Sequence, residues 1–261
     1  MALRRIFVDS VNGSTASVRG QAAHHLSRVV RLRKGERVEL SDGGKVYLAE
    51  VRRRSADEVH FQIVEQSAAP QQTLPITLQL AIFKFPRMEW VIEKAVELGI
   101  GEIVPVAANR SDPSLVHAAR KRVERWRRIA EEAAQQCRRI APPEIADPVR
   151  FADALADNPE SLRLLLDTDS SPLGQELCAN AASDSPRQSA TLMVGPEGGW
   201  IDSERRQAVD AGYRPVSLGD LVLRAETAAI AALAITSHLI GPSVPEPGET
   251  AQDSTAESTL P

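Results

Sequence analysis

The chain has 261 residues, enough for two domains, and its 43% hydrophobic and 25% charged residues are ordinary values for a globular protein. Its net charge of −4 conceals two basic stretches that permit RNA binding, because residues 1–70 hold twelve Lys/Arg against eight Asp/Glu and residues 110–139 hold nine against four. No apolar run is long enough for a membrane span or a signal peptide, and the two cysteines lack disulfide spacing, so we expect a cytoplasmic protein. The cysteines and histidines also lack metal-ligand spacing, so we expect no metal site.

The first domain, residues 1–70, is predicted to be a small β-barrel with one helix. Short runs of alternating hydrophobicity predict four strands, at residues 5–8, 36–40, 45–51 and 58–65. Asp42-Gly43-Gly44, between the second and third runs, is a good hairpin signal, and residues 22–32 have a helical pattern. Residues 67–75 are polar and contain two prolines, so they predict a linker.

From residue 76 to residue 241 the pattern changes to alternating strands and helices, which predicts a doubly wound α/β domain with a parallel sheet. Strands are predicted at residues 76–83, 103–107, 162–166, 192–194 and 215–218, and helices at residues 88–98, 118–140, 202–211 and 225–240. Trp126 and Cys137 lie on the apolar stripe of the long helix, so we expect both in the core. Residues 242–261, rich in Pro, Ser, Thr and Glu, predict a disordered acidic tail.

One candidate binding stretch is Gly-Pro-Glu-Gly-Gly at residues 195–199, which joins a predicted strand to a predicted helix. Such a turn lies at the carboxyl edge of the sheet, where open α/β proteins bind ligands. Glycine lets backbone N–H groups approach a ligand without an intervening Cβ. Because the chain contains neither a GxGxxG nor a GxxxxGK[ST] phosphate motif, a cofactor without a pyrophosphate is favoured. A tight turn that binds no ligand is the alternative.

A second candidate stretch, residues 218–227, is an irregular connection between the last strand and the last helix. Loops of this kind carry function more often than packing. Arg224 and Glu226 flank the start of the helix, where the dipole favours a carboxylate and Thr227 can act as a cap. The alternative interpretation is that Arg224 and Glu226 only pair with each other.

With these two stretches, the sequence resembles the ribosomal small subunit methyltransferase E family, SPOUT-class enzymes that methylate N3 of a uridine in 16S ribosomal RNA. The resemblance runs from residue 4 to about residue 240 and is most specific at residues 195–199 and 223–227. Other matching residues include Arg4, Arg5, Phe7, His25, Arg28, Arg31, Lys34, Gly35, Lys84, Met88, Glu89, Gly99, Arg110, Ser111 and Trp126. The family usually has Gly-Pro-Arg where this chain has Gly219-Asp220-Leu221.

The resemblance implies an α/β, SPOUT-like trefoil-knotted methyltransferase domain preceded by a small PUA-like β-barrel domain, in a homodimer with each active site near the subunit interface. It also implies S-adenosyl-L-methionine as methyl donor and 16S rRNA, or the small ribosomal subunit, as partner. The implied cofactor-binding residues are Val194, Gly195, Pro196, Glu197, Gly198, Gly199, Leu218, Gly219, Leu223, Arg224 and Thr227. The implied RNA-binding residues in the barrel are Arg4, Arg5, Arg28, Arg31 and Arg33.

Methyl transfer to N3 requires alignment of donor and acceptor, and help for N3 to lose its proton. By position, Arg224 and Glu226 are the catalytic candidates, and the base itself is left unassigned. A further basic cluster lies on the polar side of the long predicted helix, and we interpret it as a solvated face paired with nearby glutamates rather than as an RNA site. Its members are Arg120, Lys121, Arg122, Arg125, Arg127 and Arg128, beside Glu124, Glu131 and Glu132.

Three other functions stay open: a nucleotide- or NAD-dependent metabolic enzyme, an RNA-binding module without catalysis, and a SPOUT enzyme that acts on another RNA. Thermal stabilisation by NAD, but not by S-adenosylmethionine, would favour the first. Donor binding without methyl transfer to small-subunit RNA would favour the second. Trp200 could stack on a base or belong to the core.

Overall fold

The computed structural model describes residues 3–67, 73–156, 160–186 and 188–240. The predicted tail at residues 242–261 and most of the predicted linker at residues 67–75 lie outside these ranges. Within them, every helix falls short of the length and hydrophobicity needed to cross a bilayer. The same ranges contain no group of three His, Cys, Asp or Glu side chains that could hold a metal ion.

The N-terminal sheet has six strands among the described residues, in the order β1-β4-β5-β6-β3-β2, and only β1 and β4 pair in parallel. These strands are β1 (Arg5–Phe7), β2 (Val11–Asn12), β3 (Thr15–Arg19), β4 (Arg37–Ser41), β5 (Val46–Arg54) and β6 (Glu58–Ser67). Helix α1 (Gly20–His24) continues as a π-helix over His25–Val29. Alternate side chains along the strands, such as Val38, Val59 and Phe61, form a core separate from that of the second domain.

The hairpin predicted at residues 42–44 is confirmed, because it joins the antiparallel strands β4 and β5. The Asp42 carboxylate accepts hydrogen bonds from the backbone N–H groups of Gly44 at 3.1 Å and Lys45 at 2.8 Å, and Gly43 has a φ of +87°. The helix predicted at residues 22–32 is wrong in extent, since it begins at Gly20 and its hydrogen bonding changes at His25. Strands β2 and β3 are additional to the four predicted strands.

The second sheet is parallel, as predicted, and among the described residues its strand order is β10-β8-β7-β12-β11-β13 with β9 beside β8. Its strands are β7 (Ile76–Ala81), β8 (Glu102–Ala107), β9 (Glu144–Ile145), β10 (Val149–Arg150), β11 (Leu162–Pro172), β12 (Ala190–Val194) and β13 (Arg214–Ser217). The helices are α2 (Phe85–Glu97), α3 (Pro113–Ala119), α4 (Val123–Gln136), α5 (Phe151–Ala154), α6 (Leu173–Ala181), α7 (Asp202–Asp210) and α8 (Ala225–Ile240).

Both faces of this sheet are covered, as a parallel sheet requires. Along β12, Leu192 and Val194 pack into one core with residues of α2, α4, α6 and α8, and Met193 packs into another with residues of α5 and α7. Trp126 is fully buried in the first core, as predicted. Cys137 is half-buried against the same core, and burial raises the pKa of its thiol.

The single long helix predicted at residues 118–140 is wrong. Asp112 accepts a hydrogen bond from the Ser114 backbone and begins the separate helix α3, and a 3₁₀ turn over Arg120–Arg122 connects α3 to α4. Helix α4 ends at Gln136, and Arg138 beyond it has a left-handed φ of +62°. Hydrophobic periodicity does not reveal this break, because the apolar positions that predict the helix begin only at Val123, after the 3₁₀ turn.

Polar contacts of the 138–140 segment join the two domains. Arg5 is buried, and its guanidinium binds Glu39 at 2.9 Å and the backbone carbonyl of Arg138. The Arg138 side chain also binds Glu39, and the Ser41 hydroxyl donates a hydrogen bond to the carbonyl of Ile140 at 2.6 Å. Because these groups come from β1, β4 and the end of α4, they fix the barrel against the second domain.

Candidate functional site

The carboxyl ends of β11, β12 and β13 border a cavity of about 470 Å³. Small-molecule sites in proteins have volumes of about 300–1,000 Å³. Segments 166–168, 194–200 and 216–225 contribute most of the wall. Among the predicted cofactor residues, Thr227 lies outside this wall, and those brought together in it are Val194, Gly195, Pro196, Glu197, Gly198, Gly199, Leu218, Gly219, Leu223 and Arg224.

The turn at residues 195–199 requires glycine for two separate reasons. A Cβ on Gly195 would lie 3.1 Å from the Trp200 ring, which is buried and cannot move away. Gly199 has a φ of +68°, and its N–H donates to the Pro196 carbonyl at 2.8 Å to close the turn. The Trp200 indole N–H donates to the Leu166 carbonyl at 3.0 Å, so Trp200 is a core residue that ties this turn to β11.

The loop between β13 and α8 forms the opposite wall of the cavity. Gly219 has a φ of +115°, a conformation that side chains rarely adopt. Leu221 and Val222 in the same loop are 80% and 84% exposed, which is unusual for large apolar side chains. Arg224 lines the cavity and is exposed.

Glu226 does not pair with Arg224, which contradicts the interpretation that these two residues only pair with each other. Its carboxylate instead lies 3.5 Å from Nε of Arg87, near the start of α2. Arg87 also contacts Glu197 in the glycine turn, with Nη1 3.3 Å from Oε1. The other carboxylate oxygen of Glu226, Oε2, is buried and has no hydrogen-bond partner among the described residues.

Further contacts support the glycine turn from behind. Arg110 donates to the Gly198 carbonyl at 2.5 Å, and the Glu204 carboxylate accepts from the backbone N–H groups of Asn109 at 2.7 Å and Ile201 at 3.1 Å. The loop after β8 is therefore fixed to both ends of the 198–201 segment. No sequence signal identifies Glu204, because it contacts Asn109 across a separation of 95 residues.

The remaining charged pair in the wall joins β11 to α7. Arg205 binds Asp167 through two hydrogen bonds, from Nε at 2.7 Å and from Nη2 at 3.2 Å. The hydrogen bonds to Asp167 raise the pKa of Arg205 above its ordinary value. The predicted site did not include either residue.

The predicted RNA-binding arginines of the barrel have different surroundings. Arg4, Arg28, Arg31 and Arg33 are exposed, and their side chains make no hydrogen bond or ion pair within the described part of the chain. Arg5 is 7% exposed and its guanidinium is engaged at the domain interface.

Within the described residues, three of the six members of the basic cluster at the start of α4 form ion pairs, and only Arg127 pairs with one of the predicted glutamates. Arg125 binds Glu89 at 2.7 Å, and Arg122 lies 4.0 Å from the same carboxylate and over the Phe85 ring. Arg127 binds Glu124 at 2.7 Å and Asp147 at 3.3 Å.

Two family models match the chain: an RNA methyltransferase domain over residues 70–237 and an RNA methyltransferase PUA domain over residues 18–64. The chain is 34% identical to the ribosomal RNA small subunit methyltransferase E of Synechocystis sp., over 92% of this chain and 78% of that protein. It is 32% identical to the protein of the same name from Bacillus subtilis, over 86% of this chain and 90% of that protein.

Two solved structures are similar over 91% of this chain and 98% of their own lengths, each at 30% sequence identity. One is a ribosomal RNA small subunit methyltransferase E from Neisseria gonorrhoeae bound to S-adenosyl methionine, with a TM-score of 0.81. The other is a methyltransferase from Legionella pneumophila in complex with the bound cofactor SAM, with a TM-score of 0.79.

Proposed function

Because this chain belongs to the ribosomal RNA small subunit methyltransferase E family, we propose that it transfers a methyl group from S-adenosylmethionine to N3 of a uridine in 16S ribosomal RNA. Its fold is that family's, a PUA-like barrel followed by a SPOUT methyltransferase domain. The observation that carries the proposal is the cavity at the ends of β11, β12 and β13, lined by the glycine turn and the loop before α8. The substrate implies that the enzyme acts in the cytoplasm.

The residues of this cavity suit S-adenosylmethionine better than a dinucleotide. Its wall combines apolar side chains, such as Val194, Leu218 and Leu223, with the backbone of the glycine turn, where no side chain stands between the peptide groups and a ligand. A dinucleotide would require a phosphate-binding motif, and the sequence contains none. These features disfavour a nucleotide-dependent metabolic enzyme. We propose that Thr227, outside the wall, supports the loop rather than contacting the donor.

When bound, the donor supplies an electrophilic methyl group on its sulfonium, and the chain must then orient the uracil and take up its N3 proton. Arg224 is exposed in the cavity wall, where its charge would stabilise the uracil anion that forms as N3 is deprotonated. Glu226 does not line the cavity but follows the wall residue Ala225, and we propose that its carboxylate, whose Oε2 has no partner among the described residues, receives the proton. The buried walls hold the reacting atoms in line.

The RNA surface is proposed on the barrel, at Arg4, Arg28, Arg31 and Arg33. Each is exposed and has no acidic partner among the described residues, so its charge is available to phosphate. Arg5 would contribute indirectly, because its guanidinium holds the barrel against the second domain.

We also propose the homodimer and the trefoil knot that the family resemblance implies. Leu221 and Val222 beside the cavity, and Ile235 at 41% and Leu239 at 43% exposure on α8, are exposed large apolar side chains, and we propose that a second copy covers them. Strand β13 pairs with β11 rather than with β12, so the connection from β12 to β13 passes over β11. Light scattering of the purified protein should give twice the monomer mass of 28.3 kDa.

The proposed reaction is tested by incubating the protein with isotope-labelled S-adenosylmethionine and undermodified small ribosomal subunits, then mapping the labelled base. We expect one N3-methylated uridine in 16S rRNA. Label on another RNA would instead identify a SPOUT enzyme of different specificity. Donor binding without label in any RNA would identify an RNA-binding module that has lost catalysis.

A further inference from the structure

Arg87 occupies a position that its own helix does not favour. It lies in the first turn of α2, after Pro86, and that turn contains no acidic residue. The positive end of the helix dipole lies at the N-terminus, so a cation there is unfavourable by a few tenths of a kcal/mol or more. A residue that opposes its local setting is commonly retained for a contact elsewhere in the fold.

The contact is a bridge between the two loops that enclose the cavity. The Arg87 guanidinium reaches Glu197 in the glycine turn with Nη1, at 3.3 Å, and Glu226 at the start of α8 with Nε, at 3.5 Å. Glu197 and Glu226 belong to segments that are not neighbours in sequence, and Arg87 comes from a third element. Within the described residues, Arg87 is the only cation within ion-pair distance of either carboxylate.

We propose that Arg87 is a positioning residue that holds the two donor loops at the separation the donor requires. The inference rests on the proposed donor site. Without Arg87, two carboxylates on facing loops would repel each other, and the glycine turn would lose its link to α8. The planar guanidinium suits this role because it offers N–H donors on two edges, whereas a lysine ammonium is a single compact charge.

The role should appear in donor binding rather than in stability. The Arg87 side chain is 34% exposed and that of Glu197 is 41% exposed, and ion pairs at such positions add little to the free energy of unfolding. A preformed cavity, in contrast, spares the donor the free energy needed to order two loops. The expected signature is therefore a higher Kd and KM for the donor and an unchanged Tm.

The test compares Arg87→Met and Arg87→Lys with Arg19→Met, which removes an exposed arginine paired with Glu58 in the barrel. Calorimetry should show S-adenosylmethionine binding about tenfold more weakly to Arg87→Met, a coupling of ordinary size between contacting residues. Arg87→Lys should recover part of the affinity, and Arg19→Met should bind like the unmodified protein. Unchanged affinity in Arg87→Met, or a loss confined to kcat, would overturn the proposal.

A double-mutant cycle with Glu226→Gln checks that Arg87 acts through the loops. If it does, the Arg87→Met/Glu226→Gln protein should bind the donor no more weakly than Arg87→Met alone. If the losses of donor affinity in the two single variants add up in the double variant, Arg87 does not act through Glu226, and the positioning role is overturned. If the unmodified protein itself fails to bind S-adenosylmethionine, the proposed function fails as well, so the two failures are distinguishable.

Discussion

Arginine side chains are used in opposite ways at the donor cavity and on the barrel. Around the cavity, Arg87 and Arg205 bind carboxylates and Arg110 binds a backbone carbonyl. On the barrel, Arg28 in the π-helix and Arg31 and Arg33 after it make no side-chain hydrogen bond or ion pair within the described ranges. Paired arginines hold loops in place, whereas unpaired ones are available to a polyanion.

Two arginines, Arg31 and Arg138, share a left-handed backbone conformation but differ in whether their side chains are paired. Arg138 has a φ of +62°, and contacts of both its side chain and its carbonyl with Glu39 and Arg5 explain why that conformation is held. Arg31 has a φ of +59° at the end of the π-helix, and its side chain has no partner in the described part of the chain. The left-handed backbone of Arg31 ends the π-helix, where the Leu32 N–H donates to the Leu26 carbonyl at 3.1 Å, and it leaves the Arg31 side chain in solvent.

The largest expected effect comes from removing the unpaired charges together. Changing Arg28, Arg31 and Arg33 to Gln should lower the salt-dependence slope of RNA binding by about 2, and the affinity at 0.1 M salt by about 100-fold. The reason is that three phosphate contacts no longer displace counterions. Filter binding to 16S rRNA across a salt series measures both quantities. An unchanged slope would mean that the barrel arginines do not contact phosphate.

At the donor cavity, the glycine turn should be sensitive to an added side chain. Gly195→Val should weaken S-adenosylmethionine binding about 30-fold, because overpacking against the buried Trp200 ring costs about 2 kcal/mol. RNA affinity should not change. Gly174→Val, at an exposed glycine of α6 with open space around its Cβ position, is the matched control. Equal donor affinity in both variants would contradict the assigned role of the turn.

At Arg31, one substitution should change stability and RNA affinity in opposite directions. Arg31→Gly should raise the free energy of unfolding by about 0.5–1 kcal/mol, because glycine adopts a left-handed φ without steric cost. The same change should reduce RNA affinity about fivefold at 0.1 M salt, through the loss of one phosphate contact. Chemical denaturation and filter binding measure the two effects.

Arg138→Gly is the control for this prediction, because it relieves the same backbone strain but breaks the contact with Glu39. It should lower stability and leave RNA affinity unchanged. If Arg31→Gly is more stable than the unmodified protein and binds RNA with the same affinity, the Arg31 side chain does not contact RNA.

The sequence predicted local features better than distant contacts. The glycine turn and the loop before α8 were found because their residues are contiguous, and each glycine has a local backbone requirement. Arg87 was missed because its partner Glu197 lies 110 residues away, and only the packing of α2 beside the cavity brings them together. The parallel sheet followed from alternating patterns, whereas the break at Arg120–Arg122 did not disturb the apolar period.

The smallest effect is expected at the paired cluster of α4, which resembles the barrel cluster in charge but not in surroundings. Changing Arg122, Arg125 and Arg127 to Gln should alter RNA affinity by less than about twofold, because these charges are already paired and the remainder is screened. Filter binding beside the barrel triple variant gives a direct comparison. A loss of RNA affinity as large as that of the barrel variant would show that arginines paired with carboxylates can still bind phosphate.

Removing these paired charges should change the free energy of unfolding rather than the affinity for RNA. Hydrogen bonding to Arg125 lowers the pKa of Glu89 below its ordinary 4.5. A lowered carboxyl pKa stabilises the fold above pH 4.5, and that contribution is lost as pH falls through the lowered value. A variant with only Arg122 and Arg125 changed to Gln should therefore be less stable than the unmodified protein at pH 7 by about 0.5 kcal/mol, since both arginines are largely exposed. Denaturation curves at decreasing pH should converge once Glu89 is protonated, and a difference that persists there would assign the loss to packing instead.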